Sequence, residues 1–486
     1  MKPTNDLHEL VQSLTKSEKR FFKLQSSLQS GEKNYVRIFD LLERMEVYDV
    51  EYVKEHFKGE VFLKHLPSEK NHLFKLILKA LRSFHGEHST SNLIKQELKN
   101  VEILFYKGLY VECKKALKRA KRMATDHEFF YYLFEIISWQ KTLLEEDYEN
   151  GDFSESIDDL SREEEEVLVK LRNLTEYQVL YGKVNAVFRL GGFTPSTGDE
   201  ANIKDLKDSL LISDETHALS NRARCIRLYS LGFCAIAQNE IERSNAHFEQ
   251  LLRLFDENEW LKDDKAKRYL RTLGQFLTCK ILLNDRQAAK KLYGRLEELA
   301  ELPRFQSHDL HLFRTRMMKQ LQIEMALFFD QNVQIDELKS AIEEDQSYVS
   351  KEFDMVFNYR LAMYEFANRN YQKAQKYVNY VINNAERDLR QDVYGHVRVL
   401  NVFIHLCLEN HDLVDYALKS IIRFYSNRDR DHEAEVNFLK VLKQLNKKDR
   451  QERKEFIESG KLEQAFPAHK NMEDQLLFVT MKKGMN

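Results

Sequence analysis

The sequence predicts an all-α chain built from antiparallel helix pairs, and three observations carry that expectation. Only 15 Gly and 5 Pro occur in 486 residues, far below ordinary usage, and long helices with short polar connections need few residues with special backbone angles. No series of alternating β-branched runs closed by Asn-Gly or Asp-Gly turns is present, so strand signals are missing. Apolar residues recur at helical spacing almost throughout, and a hydrophobic content of 43% is ample for a large core.

Residues 1–90 read as about four helices forming an N-terminal helical domain or cap. In "LTKSEKRFFKL", Thr15 and Glu18 stand three apart as a capping box at a helix start. "HLPSEKNHLFKLILKALRSFH" (65–85) breaks at Pro67 and continues as one helix. Its apolar residues, Leu73 to Phe84, span about 200° of the wheel, and His72, Lys75, Lys79 and Arg82 share about 80°. That is the pattern of a packing helix with a narrow basic strip, not of a helix presenting a broad polar face to base edges. Ser161 and Glu164 form a second capping-box pattern, which would place Glu163–Glu166 in a first helical turn against the positive end of the helix dipole.

From residue 91 onward, hairpin-like segments recur. "LYSLGFCAIAQNEIERSNAHFEQLLRL" (228–254) sets Leu228, Leu231, Gly232 and Ala235 on a first helix, then Ile241, Ser244, Phe248 and Leu251 on a second. "LAMYEFANRNYQKAQKYVNYVI" (361–382) repeats the arrangement, and looser versions lie at 103–120, 276–296 and 403–422. Second-helix starts at Ile241, Arg286, Tyr371 and Leu413 are separated by 45, 85 and 42 residues. The long step leaves room for one more hairpin, which 309–344 supplies. These segments resemble the tetratricopeptide repeat (TPR), with a period near 43 residues and without the usual Pro after each second helix. The resemblance implies a right-handed, TPR-like α-solenoid over 91–426. Its end caps would be the N-terminal region and residues 427–486, where helix is followed by a loop around Pro467.

Charge is balanced overall at −3 but uneven along the chain. Lys64–Arg122 holds fourteen Lys and Arg against five Glu, and Glu145–Glu166 holds twelve acidic residues against Arg162. On a helical wheel Lys114, Lys115, Lys118, Arg119, Lys121 and Arg122 fall on one arc. With Lys75, Lys79 and Arg82 they form a candidate anion-facing surface that nucleic-acid phosphates would suit. The acidic segment one hairpin later is the competing partner for the same face. "LTKSEKRFFKL" resembles the start of a helix-turn-helix domain, yet "GEVFLKHLP" between the next helices is too long and apolar for that turn.

Motifs for the common catalytic classes are missing: no H-E-x-x-H, no P-loop, no G-x-S-x-G, no dinucleotide turn. The Gly-rich loop 190–202, with Gly191, Gly192 and Gly198, follows a helix and lacks a phosphate-binding Lys. His308 and His311 stand three apart without an evident third ligand, and "HGEH" (85–88) is no stronger. No cofactor or metal is expected. Cys113, Cys225, Cys234, Cys279 and Cys407 are scattered in apolar segments, which fits reduced thiols in a cytoplasmic protein. Neither a signal peptide nor an apolar run of about eighteen residues is seen, so membrane insertion is not expected.

In TPR proteins the first helices line a peptide-binding concave face. Aligning the repeats puts Lys95, Ile226, Arg271, Val356 and Arg398 in one column, with Tyr229, Phe233, Tyr359 and Met363 nearby. The expectation is therefore a bacterial, non-catalytic interaction scaffold binding a peptide or protein through a groove, with Lys95, Arg271 and Arg398 steering acidic groups. The alternatives are a nucleic-acid-binding regulator with a TPR-like sensor, and an enzyme whose site is assembled across repeats.

Overall fold

The computed structural model describes residues 5–27, 33–86, 89–151, 153, 156–190, 210–343, 350–384, 386, 389–426, 433–466 and 472–485. Among these every regular element is helical, and no strand occurs. The chain divides into two compact units, Met1–Leu168 and Val169–Asn486.

The first unit opens with α1 (Asp6–Ser13), α2 (Lys16–Ser27), α3 (Asn34–Arg44), α4 (Val50–His56) and α5 (Leu66–Phe84). They enclose a core of their own around Val11, Phe22, Phe39, Leu42, Leu73 and Ile77. The capping box forms at α2: the Thr15 N–H donates to Glu18 Oε2 at 2.7 Å, and the Glu18 N–H donates to Thr15 Oγ1 at 3.3 Å. Pro67 sits in the first turn of α5, where no intrahelical donor is lost. Helix α5 packs on α1, α2 and α3, but only Leu66, Leu73, Ile77 and Ala80 are fully buried, while Leu78 keeps 36% of its surface exposed. The apolar arc read from the sequence is wider than the strip the neighbours cover.

Next come α6 (Thr90–Phe105), α7 (Tyr110–Asp126) and α8 (Phe130–Glu149), with α7 packed on both. Cys113, Ala116, Ala120 and Ala124 are buried on α7, small residues that let helices approach closely. The unit boundary falls inside α9 (Ile157–Leu190). Here the second capping box fails. Helix α9 starts at Ile157, with Ser156 Oγ accepting from the Asp158 N–H at 3.2 Å, so Ser161 and Glu164 lie inside it. Nothing in the Ile157–Leu160 stretch interrupts a helix. The acidic side chains have cationic partners instead: Lys121 bonds Glu163 at 2.6 Å and Lys141 bonds Glu164 at 2.7 Å.

The second unit is a succession of helix pairs. After the short α10 (Leu210–Ser213) come α11 (Asn221–Ala237) with α12 (Ile241–Glu257), the short α13 (Glu259–Asp264), and α14 (Ala266–Leu282) with α15 (Arg286–Glu298). The remaining pairs are α16 (His308–Phe329) with α17 (Ile335–Glu343), α18 (Lys351–Ala367) with α19 (Tyr371–Asn384), and α20 (Gln391–Cys407) with α21 (His411–Ser426). The hairpin expected at 309–344 is α16/α17. Consecutive first helices pack on one another, α14 on α16, α16 on α18 and α18 on α20. At α11/α12 the approach is close enough that a Cβ on Gly232 would lie 2.8 Å from the Phe248 ring.

The turns repeat as well. Asn239, Asn284, Arg369 and Glu409 all have φ between 57° and 63°. In each turn the next residue's N–H closes a bond to the carbonyl five back: Glu240 to Ala235, Asp285 to Lys280 and Asn370 to Glu365 at 2.9 Å, and Asn410 to His405 at 3.0 Å. This is the helix-ending bond of a Schellman-type stop, made here without Gly.

Beyond the pairs lie α22 (Glu433–Asn446), α23 (Arg450–Glu458), α24 (Lys461–Ala465) and α25 (Met472–Met485). Helix α25 does more than close one end: it packs across α16, α18 and α20.

Candidate functional site

The row of first helices in the second unit carries a cavity of about 570 Å³, lined from α9, α11, α14, α16 and α18. Tyr229 and Phe233 lie one turn apart on α11 and stack with centroids 5.8 Å apart at 16°. Tyr229 also packs against Tyr181, and Phe233 meets the edge of Phe188 at 4.5 Å. Burial pushes the Tyr229 hydroxyl up to about 12, so it stays protonated at neutral pH.

Arg271 enters this cavity from α14. Its Nη1 donates to the Tyr181 hydroxyl at 3.0 Å, and its guanidinium lies 5.4 Å from the Phe313 centroid. Neither partner is a carboxylate. Other cations of the lining are held by acids: Arg189 pairs with Glu352, Lys267 with Asp309 at 2.9 Å, and Arg390 with Asp392 and Glu473. Arg316 lies 5.9 Å from the Phe353 centroid. Arg271 thus brings a guanidinium into the cavity on aromatic walls, with no carboxylate partner among the described residues.

Arg390, Glu324 and Glu473 also line the cavity, as part of a buried ionic cluster that sequence reasoning did not foresee. Arg360, on α18 and 0% exposed, donates Nε to Glu324 at 2.9 Å. Its Nη1 and Nη2 donate to the two oxygens of Glu473, both at 2.8 Å. Arg390 donates Nη2 to Glu473 at 2.9 Å and Nε to Asp392 at 3.0 Å. His396 Nε2 donates to Asp474 at 2.9 Å. Burial alone would raise the Glu473 carboxyl; Arg360, Arg390 and His396 hold it well below the usual carboxylate range. A charged residue within "MVFNYRLAMYEF" is the sequence signal for Arg360, yet its partner Glu473 is 113 residues away.

The other residues singled out in the sequence are placed differently. Arg398 turns toward its own pair, donating to Ser420 Oγ at 2.6 Å and the Tyr394 hydroxyl at 3.0 Å, and does not line the cavity. Lys95 is an exposed residue of α6 in the first unit. Of the basic column, only Arg271 reaches the cavity. Tyr359 and Met363 are 0% exposed, core residues on the stretch of α18 where α25 packs, rather than an open groove surface; Val356 does reach the cavity.

In the first unit the basic face is partly neutralised. Lys114 pairs with Asp147 at 2.5 Å, Lys115 with Glu112 at 2.8 Å and Arg119 with Glu97 through two bonds of 2.8 Å. Lys118 and Arg122 on α7, and Lys75, Lys79 and Arg82 on α5, make no ion pair among the described residues. Helix α5 packs within the α1–α3 core and α7 between α6 and α8.

His308 begins α16, and His311 Nδ1 lies 3.4 Å from Arg314 Nη2. Among the described residues no three metal-ligating side chains converge. His85 bonds Glu18 at 2.6 Å; Glu87, His88, Gly191, Gly192, Gly198 and Pro467 lie outside the described residues. All five cysteines are free, four of them buried. No described helix is long and apolar enough to cross a membrane.

No family model matches the chain, and no curated protein or solved structure is significantly similar to it.

Proposed function

We propose that this chain is a non-catalytic protein-interaction scaffold, a TPR-like α-solenoid whose first-helix row takes an acidic peptide segment of a partner. The observation that supports this reading is the cavity at Arg271: a guanidinium without a carboxylate partner among the described residues, framed by Tyr229, Phe233 and Phe313. Aromatic anchors around a half-buried Arg are the composition of an interaction hot spot, and a pocket of several hundred Å³ holds a few side chains or a peptide end. A carboxylate entering there gains a charge-assisted bond in a partly dehydrated site.

The test is affinity capture from the native host, followed by rebinding of the captured partner to variants. Arg271→Glu and Phe233→Ala should each weaken binding by tenfold or more, about 1.4 kcal/mol, while Arg398→Glu leaves it unchanged. Full binding by Arg271→Glu removes this reading.

A nucleic-acid-binding regulator is the second reading, favoured by Lys75, Lys79, Arg82, Lys118 and Arg122, which make no ion pair among the described residues. A gel shift with pooled DNA and RNA at low salt tests it; no shift ends it.

A further inference from the structure

Helix α25 is bound the way a ligand is bound. It is held at both ends by polar recognition and along its length by an apolar stripe. At its start Glu473 is gripped by Arg360 and Arg390, and Asp474 by His396. Leu476, Leu477, Thr480 and Met481 follow at helical spacing, each 0–1% exposed. At its end the Gly484 carbonyl accepts from the Tyr371 hydroxyl at 2.8 Å. A Cβ at Gly484 would lie 2.7 Å from the Phe366 carbonyl oxygen, so only Gly fits this close approach. Asn239 and Gln475 add a bond of 2.7 Å.

Ion pairs buried at this depth do little for net stability, because desolvation offsets their attraction, but they discriminate strongly among docked partners. A helix needed only to complete a core would be seated by apolar contacts. The clamp is also incompletely satisfied: among the described residues the Tyr359 hydroxyl and His396 Nδ1 are buried without a hydrogen-bond partner. Both belong to the receiving side, so α25 leaves polar capacity of that face unused. The receiving face itself is the row of first helices α16, α18 and α20, and its cations Arg360, Arg390 and His396 complement an acidic helix start.

We infer that the α16–α18–α20 face is a helix-docking surface, that α25 is its in-cis occupant, and that the partner it fits is an amphipathic helix with two adjacent acidic residues in its first turn. That partner competes with α25 for Arg360, Arg390 and His396. The inference does not depend on a ligand at Arg271.

The test uses the full chain with a protease site placed at residues 467–471 and cut after folding. The probe is a labelled synthetic peptide of residues 472–485, beside the same peptide carrying Glu473→Gln and Asp474→Asn. The nicked protein should keep its helical signal and take up the labelled peptide in exchange for its own segment. The neutralised peptide should bind at least tenfold more weakly, and the uncut chain should take up little of either. Three results would each overturn the inference: loss of the fold on nicking, retention of the native segment against excess peptide, or equal uptake of the two peptides.

Discussion

Arg360 and Glu473 meet through two hydrogen bonds of 2.8 Å, with neither side chain exposed to solvent, although they stand 113 positions apart in the chain. Removing one partner leaves the other buried with its bidentate bonds unmade, although Glu324 still holds Arg360 and Arg390 still holds Glu473; the loss of a buried partner of this kind costs about 3–5 kcal/mol. Glu473→Gln and Arg360→Met should each lower unfolding stability by about that amount in urea titration. The double variant should cost less than the sum of the two, because the second change removes the group whose bidentate bonds the first left unmade. Additive losses would show that the pair does not act as a unit.

His396 and Glu473 give the docked helix a pH window. Burial lowers the His396 pKa, but Asp474 outweighs it and raises it above the ordinary 6.5. A raised folded pKa contributes stability fully below about pH 6.5, lost as pH climbs through the raised value. The Glu473 carboxyl, lowered from 4.5 despite its burial, contributes fully above about pH 4.5 and is lost on acidification. His405 runs against His396: burial depresses its pKa, so its contribution fades as pH falls below about 6.5. Comparing His396→Gln with the parent separates them. The deficit of the variant should be about 1–2 kcal/mol near pH 5.5 and should shrink by pH 9. A deficit independent of pH would mean His396 acts by shape alone.

Gly484→Ala should destabilise by about 1–3 kcal/mol, the range for overpacking a filled site, because its Cβ would press on Phe366. Gly294 is the control: it lies within α15 with no atom within 4 Å of an added Cβ. Gly294→Ala should stabilise by up to about 1 kcal/mol through helix propensity. Thermal melts of the two variants moving in opposite directions would locate the effect in contact rather than in the loss of Gly.

Helix pairing was legible because it is written locally. Gly232 facing Phe248, and the apolar spacing at 228–254 and 361–382, each lie within one hairpin, and those hairpins are α11/α12 and α18/α19. What long-range partners decide was not legible. Ser161 and Glu164 satisfy a capping pattern, yet Ser156 caps α9 and Lys121 and Lys141 hold the acids from other helices. Arg271 and Arg398 align in sequence, but the Ser420 and Tyr394 hydroxyls draw Arg398 away. Nothing near Glu473 announces that its helix docks on α18. Tyr359 and Met363, candidate groove residues for which core packing is the favoured alternative reading, are core.

The pair turns offer a test of a different kind. Arg369 adopts φ 63°, a left-handed conformation that costs a side-chain-bearing residue roughly 1–2 kcal/mol. The Asn370 N–H to Glu365 carbonyl bond requires the chain to reverse at this point, so the strain is fixed by the pairing of α18 with α19. Gly108 occupies the corresponding turn between α6 and α7 at φ 69°, with the Leu109 N–H bonded to the Leu104 carbonyl at 3.0 Å. Arg369→Gly should therefore stabilise the chain by about 0.5–1 kcal/mol, the strain relieved less the added freedom of the unfolded state. Arg369→Val should destabilise by more than 1 kcal/mol, since a β-branched side chain tolerates positive φ least. If both substitutions leave the urea midpoint unchanged, the turn relaxes in solution and the shared geometry does not set how the pairs close.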